Sequence, residues 1–172
     1  MICRSPSDCV AVIRSLVILG VLTTQLNAAR GAEDWIELFD GRSLSGWKAS
    51  EHQDTWRVDD GCLVAKGARS HLFYQGPAAN HDFKNFELEA EVKTDPGANS
   101  GVFIHTAYQE SGWPSQGYEI QINNTHQGTG NYQELKRTGS LYAVRNIYKS
   151  FVSDGEWFRL RVSVVGKRIR IW

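Results

Sequence analysis

The chain has 172 residues with 19 basic and 19 acidic side chains, 41% hydrophobic and 11% aromatic content, which is the length of roughly one domain. Balanced charge argues against a nucleic-acid partner, because a phosphate-tracking surface carries a basic excess. Apolar content this high with no net charge argues equally against disorder.

The N-terminus reads as a targeting segment. Residues 15–22 are a continuous apolar run, preceded by Arg4 and Arg14 and followed by Ala28, Ala29, Gly31 and Ala32. That is the order of a secretory signal, and the run is shorter than the roughly 20 residues that a bilayer span needs. A signal over residues 1–31, cleaved between 28 and 32, is therefore expected, with a membrane anchor as the alternative. The exported domain, residues 32–172, would then have no membrane attachment and lie in the periplasm or outside the cell. Loss of Arg4, Arg14, Arg30 and Asp8 leaves 16 basic (19 − 3) and 18 acidic (19 − 1) residues. Cys3 and Cys9 leave too, so Cys62 has no internal disulfide partner and reads as a small buried hydrophobe.

Along the mature chain, alternation dominates. Trp56–Asp59 and Cys62–Ala65 flank Asp60-Gly61, a pair suited to a two-residue hairpin turn. Residues 86–93 place Phe86, Leu88, Ala90 and Val92 on one face and Glu87, Glu89, Glu91 and Lys93 on the other, the pattern of a half-buried strand. Residues 158–164 repeat it with Arg159 and Arg161 outward, and Gly166-Lys167 marks a second hairpin toward Arg168–Trp172. Residues 131–145 come nearest to a helical period, but Gly139 and the β-branched and aromatic neighbours weaken it. The expected fold is all-β, an antiparallel sandwich or barrel in one domain.

Two segments combine chemistry-bearing side chains. Residues 117–123 send Glu119, Gln121 and Asn123 to one face and Tyr118, Ile120 and Ile122 to the other; residues 99–105 set Phe103 and His105 opposite Val102 and Ile104. If the two strands are neighbours, a carboxylate, amides, an imidazole and a ring share one surface. Such a surface suits a sugar, since amides and carboxylates bond hydroxyl pairs and rings stack on apolar sugar faces. The bland reading of the same stripe is a solvated strand face. Trp113, in the loop Ser111–Ser115, is the best candidate for an exposed stacking platform, whereas Trp47, Trp56, Trp157 and Trp172 read mostly as core. His52, His71, His81 and His126 show no metal-ligand spacing, so neither a metal nor another cofactor is expected. Asn123-Asn124-Thr125 matches a glycosylation acceptor.

Several segments together resemble one family. Leu38–Trp47, Trp56–Val64, Asn85–Leu88, Pro96–Phe103, Gly117–Ile122, Gly139–Tyr142 and Gly155–Phe158 follow in the order of the family once classed as a domain of unknown function and described as 3-keto-disaccharide hydrolase or 3-keto-glucoside lyase/hydratase. The resemblance covers residues 35–172. It implies a jelly-roll β-sandwich of the concanavalin-A-like lectin and glucanase type, with C-terminal strands missing, because members continue past the strand equivalent to Arg168–Trp172 with an Asn-Gly turn and further strands. It also implies hydrolysis of a 3-keto-glycoside by proton abstraction at C2, elimination and hydration, with a 3-keto-glucoside or disaccharide as partner. On matching positions the expected catalytic residues are Glu119, His105 and Tyr142, and the substrate-binding residues Asn99, Gln121, Asn123, Phe103 and Trp113. A non-catalytic carbohydrate-binding module and an inactive fragment are the alternatives, since a fold does not fix a function.

Overall fold

The computed structural model describes the side chains of residues 35–172 and, as main chain, residues 11–20. The strands in chain order are β1 (Ala11–Gly20), β2 (Trp35–Glu37), β3 (Trp47–Ala49), β4 (Trp56–Asp59), β5 (Cys62–Ala65), β6 (Leu72–Tyr74), β7 (Phe86–Thr94), β8 (Ser100–Ile104), β9 (Tyr118–Ile122), β10 (Gly128–Thr129), β11 (Tyr132–Gln133), β12 (Phe158–Val165) and β13 (Arg168–Ile171). The only helical pieces among the described residues are the 3-10 turns Gln53–Thr55 and Ala78–His81, and none of them is long and apolar enough to cross a membrane.

One antiparallel sheet runs β13-β12-β7-β1-β5-β4, with β2 pairing to the end of β1. Alternation along β7 is realised residue by residue, with Phe86, Leu88, Ala90, Val92 and Thr94 buried and the residues between them half-buried. On the outer face Arg159 pairs with Glu89 and Glu91, and Arg161 with Glu87. Each such exposed pair contributes about 0.2–1 kcal/mol, so these charges govern solubility and register more than stability. The β4–β5 turn has Asp60 at φ 47° and Gly61 at φ 72°, the doubly positive pair that a tight hairpin requires. Cys62 is buried, as its setting in an apolar strand implies, and its thiol donates to the Asp60 carbonyl at 3.5 Å.

The second layer is built from β8-β9 and β3-β6. Its inner side chains Ile104, Ile120 and Ile122 pack against Leu88, Ala90, Val92, Leu160, Val162 and Val164 of the large sheet to form one core, with Leu38 and Phe86 at its margin. The fold is thus a β-sandwich. Trp47 packs against this core and donates its indole N–H to the Leu38 carbonyl at 2.7 Å. Trp157 and Trp172 are instead exposed at the sheet edge, with Lys93 over the first and Arg161 beside the second.

The apolar N-terminal run has a place in this architecture. The main chain of residues 11–20 lies between β7 and β5, with a register shift between Ile13 and Leu16. A short continuous apolar segment suits a strand covered on both faces as well as it suits a signal core. Residues 1–10 and 21–34, including the expected cleavage region, lie outside the described residues.

Candidate active site

The site grows from the register of β8 against β9. Phe103 stands directly opposite Glu119, and Gly101 opposite Gln121. Glycine at 101 is what lets the acid turn across the neighbouring strand, because a Cβ there would come within 2.4 Å of Glu119 Oε1. Gln121 is 1% exposed and its amide serves either of two orientations. In one, Nε2 donates to Asn99 Oδ1 at 2.9 Å; in the other, the nitrogen donates to Glu119 Oε1 at 3.1 Å and to the Ser100 carbonyl at 3.3 Å. The second orientation suits an ionised Glu119, which accepts only.

Residues 138–142 run along the free edge of β9. Gly139 and Tyr142 donate their backbone N–H groups to the carbonyls of Gln121 and Glu119, and Gln121 donates to Ser140. This seats Tyr142 beside Glu119. The preceding loop brings in three groups that strand-by-strand reading of the sequence does not single out: Tyr132, Glu134 and Lys136. Glu134 Oε2 accepts from the phenols of Tyr132 (2.7 Å) and Tyr142 (3.1 Å), while Oε1 accepts from the Lys136 N–H (2.9 Å) and faces its ammonium at 3.1 Å. Lys136 also donates to the Tyr132 phenol at 3.2 Å. Their signal in the sequence is an alternation, Tyr132-x-Glu134-x-Lys136, hidden in a segment that composition favours as loop or weak helix.

Environment drives the two carboxyls apart. Burial, reinforced by the negative charge of Glu134, pushes Glu119 from 4.5 up to about 7 against the opposing pull of Lys136. Burial acts on Glu134 in the same sense, but its bonds to Tyr132 and Lys136 win and hold it below the ordinary carboxylate range. Lys136 is held above its usual range by the same partners although burial works against its charge. Tyr142 is pushed up to about 12, chiefly by burial and by its bond with Tyr132. At neutral pH the set therefore comprises a poised acid/base, a fixed anion, a fixed cation and a neutral phenol, which is the division of roles that marks acid–base sites.

Glu119, Gln121, Asn99, Phe103, Tyr142 and Trp113 all line one cleft of about 1350 Å³, shared with Tyr132, Glu134 and His71. Two of the expected residues depart from the sequence reading. Asn123 does not reach the cleft. It is fully buried, its Nδ2 donating to the carbonyls of His126 and Lys136 and its Oδ1 accepting from the His126 N–H. The strand ends at Ile122, the chain turns, and Asn123 becomes the clamp that holds the loop carrying Glu134 and Lys136. The same burial closes it to glycosylation in the folded chain. His105 borders the cleft, but it does not share the face of Phe103. Its backbone enters the left-handed region at φ 53°, which breaks the alternation, and the residue is exposed, with its ring 5.9 Å from that of Phe86. Among the described residues no group of three or more His, Cys, Asp and Glu is placed to hold a metal.

Residues 34–172 match the family described as the 3-keto-alpha-glucoside-1,2-lyase-like domain. The chain belongs to this family. A curated relative, the 3-keto-disaccharide hydrolase of Bacteroides thetaiotaomicron, is 28% identical over 158 residues, covering 77% of this chain and 53% of the relative. The chain thus spans about half the length of the curated relative it matches. No solved structure matches. Within this 3-keto-alpha-glucoside-1,2-lyase-like domain, the segments that carried the resemblance divide by role. Pro96–Phe103, Gly117–Ile122 and Gly139–Tyr142 build the cleft, while Leu38–Trp47 serves the core, its Asp40 carboxylate accepting the N–H groups of Arg42 and Ser43 at 2.8 Å.

Proposed function

We propose that the domain cleaves 3-keto-glycosides by elimination and hydration, with Glu119 as the base. The observation that carries this reading is a cleft-facing carboxyl poised near neutrality, one hydrogen bond from an amide and next to a half-buried cation and phenol. A ketone at C3 of the sugar acidifies the hydrogen on C2. Glu119 takes that proton, the electron pair forms the C1–C2 double bond, and the C1–O bond breaks with the leaving alcohol receiving a proton. Water then adds its oxygen at C1 and returns a proton to C2, restoring a 3-keto sugar. Negative charge gathers on the C3 oxygen during abstraction, and the exposed Asn99 amide, whose Oδ1 is held by Gln121 Nε2 at 2.9 Å, lines the same cleft with its Nδ2 as the donor. Tyr142, kept protonated and backed by Lys136, is the proton donor toward the leaving oxygen.

A base of this kind contributes about 10²- to 10⁴-fold in rate. Glu119→Gln should lower turnover of a 3-keto-glucoside by that factor while near-UV and far-UV dichroism stay unchanged; an unaltered rate rejects the assignment. Titration with unoxidised glucosides distinguishes a pure binding module, which would bind sugar and release no aglycone from any 3-keto substrate.

The order of charge, apolar run and small residues in 1–32 supports an exported form beginning near residue 32. That form dispenses with β1. N-terminal sequencing of protein recovered from the periplasm or medium should give a start between 28 and 32, and a start at Met1 contradicts export by cleavage.

A further inference from the structure

The cleft has a second arm whose chemistry contrasts with the first. Away from Glu119 the lining turns aromatic. The His71 ring stands edge-on to Phe103 with centroids 5.5 Å apart and edge-on to Trp113 at 5.3 Å. Phe103 is itself the cross-strand neighbour of Glu119. The rings thus form a continuous wall running outward from the base. Burial and the neighbouring Arg69 charge hold the His71 imidazole below its usual range, so the wall is uncharged at neutral pH.

Trp113 is 61% exposed, yet its loop is tied down at both ends. Glu51 Oε1 accepts from Arg69 Nε at 2.9 Å and from the Gly112 N–H at 3.0 Å, joining the loop before β6 to the loop that carries Trp113. Gln109 closes that loop on itself, donating to the Ser111 and Trp113 carbonyls at 2.7 Å and accepting from the Ser115 N–H at 3.0 Å. The Arg69 guanidinium lies 5.5 Å from the Trp113 ring, and its charge is already engaged by Glu51. An indole that is exposed but immobilised meets little ordering entropy when another flat surface is laid on it.

We propose that Phe103, His71 and Trp113 form the leaving-group subsite, and that the domain selects glycosides whose departing group presents an apolar ring face over glycosides of short alkyl alcohols. This rests on the reading of Glu119 as base for the 3-keto sugar, since that places the oxidised ring over β8-β9 and directs the C1 substituent along the aromatic wall. A second pyranose and an aryl group share the chemistry the wall recognises.

The test compares methyl 3-keto-glucoside, phenyl 3-keto-glucoside and a 3-keto-disaccharide. The wild-type domain should show kcat/KM about tenfold or more in favour of the two ring-bearing substrates, the effect of roughly one stacking contact. In Trp113→Ala that preference should collapse toward one, through KM more than kcat because stacking holds ground and transition states alike. Trp113→Phe should keep most of it. Equal gains for both ring substrates assign the shared ring face; a gain for phenyl alone restricts the subsite to aromatic groups. A preference that persists unchanged in Trp113→Ala, or a wild-type ratio near one, overturns the proposal. Calorimetric titration with phenyl and methyl glucosides reads the subsite without chemistry. A phenyl preference lost in Trp113→Ala upholds it even if no 3-keto substrate turns over, and that combination of results refutes only the catalytic reading.

Discussion

Replacing Glu119 by Gln should stabilise the domain, and the gain should grow with pH. In the native state burial and Glu134 hold this carboxyl at about 7 instead of 4.5, so between those values the folded protein binds a proton that the unfolded chain has released. Where the unfolded state binds fewer protons, stability falls as pH rises. The loss begins near the unfolded value and is complete above about 7. Moving a carboxyl from 4.5 to about 7 corresponds to about 3 kcal/mol at 1.36 kcal/mol per tenfold change. Glutamine keeps the shape and donor capacity of the protonated acid and never ionises, so the variant escapes that loss. Urea unfolding at pH 5 and pH 8.5 should therefore give similar stabilities for the two proteins at the lower pH and a gap of about 2–3 kcal/mol in favour of Glu119→Gln at the higher. In thermal scans such a gap corresponds to roughly 5–12 °C for a domain of this size. Parallel pH profiles for the two proteins would refute the electrostatic account of the site.

Other perturbations test the parts around this acid. Gly101→Ala introduces a Cβ 2.4 Å from Glu119 Oε1; it should displace the carboxylate and reduce kcat about 100-fold, with about 1–3 kcal/mol lost from overpacking, measured by steady-state kinetics and urea melts. Lys136→Met leaves Glu134 buried without its cation and should cost about 3–5 kcal/mol in chemical unfolding. Asn123→Ala removes the clamp on the loop bearing Glu134 and Lys136. It should lower stability by about 1–3 kcal/mol and raise hydrogen exchange in residues 126–137 above that in β7.

The large sheet was legible because its strands follow one rule: in β7 every second residue is buried, and β12 sends Leu160, Val162 and Val164 to the same core, departing from strict alternation only where Ser163 is buried too. The stripe Glu119-Gln121-Asn123 shows where that rule stops informing. A polar face of an antiparallel strand reads as solvated unless tertiary contacts bury it, and the irregular run 138–142, which bonds along the edge of β9 at Glu119, Gln121 and Asn123 and seats Tyr142 beside the acid, has no periodic signature. Gln121 and Asn123 are consequently buried polar groups with specific partners. Glu134 and Lys136 escaped notice for a related reason, since a short alternation inside a Gly-containing loop carries little weight beside longer strands. His105 and Asn123 failed at strand ends, where a left-handed residue or a turn cancels the face assignment made from parity. Glu51, Arg69 and His71 are joined by tertiary contacts between loops distant in sequence, which no local pattern encodes. The apolar run at the N-terminus illustrates the opposite limit, because the residues that suit a signal core also suit a strand between β7 and β5.

The pH dependence of kcat/KM for a 3-keto-glucoside, followed by aglycone release, tests the assignment of Glu119 most directly. Activity should rise with pH through a limb centred near 7, as the base loses its proton, and this limb should be absent from the residual activity of Glu119→Gln. A limb centred near 4.5, or the same limb persisting in Glu119→Gln, would contradict Glu119 as the base.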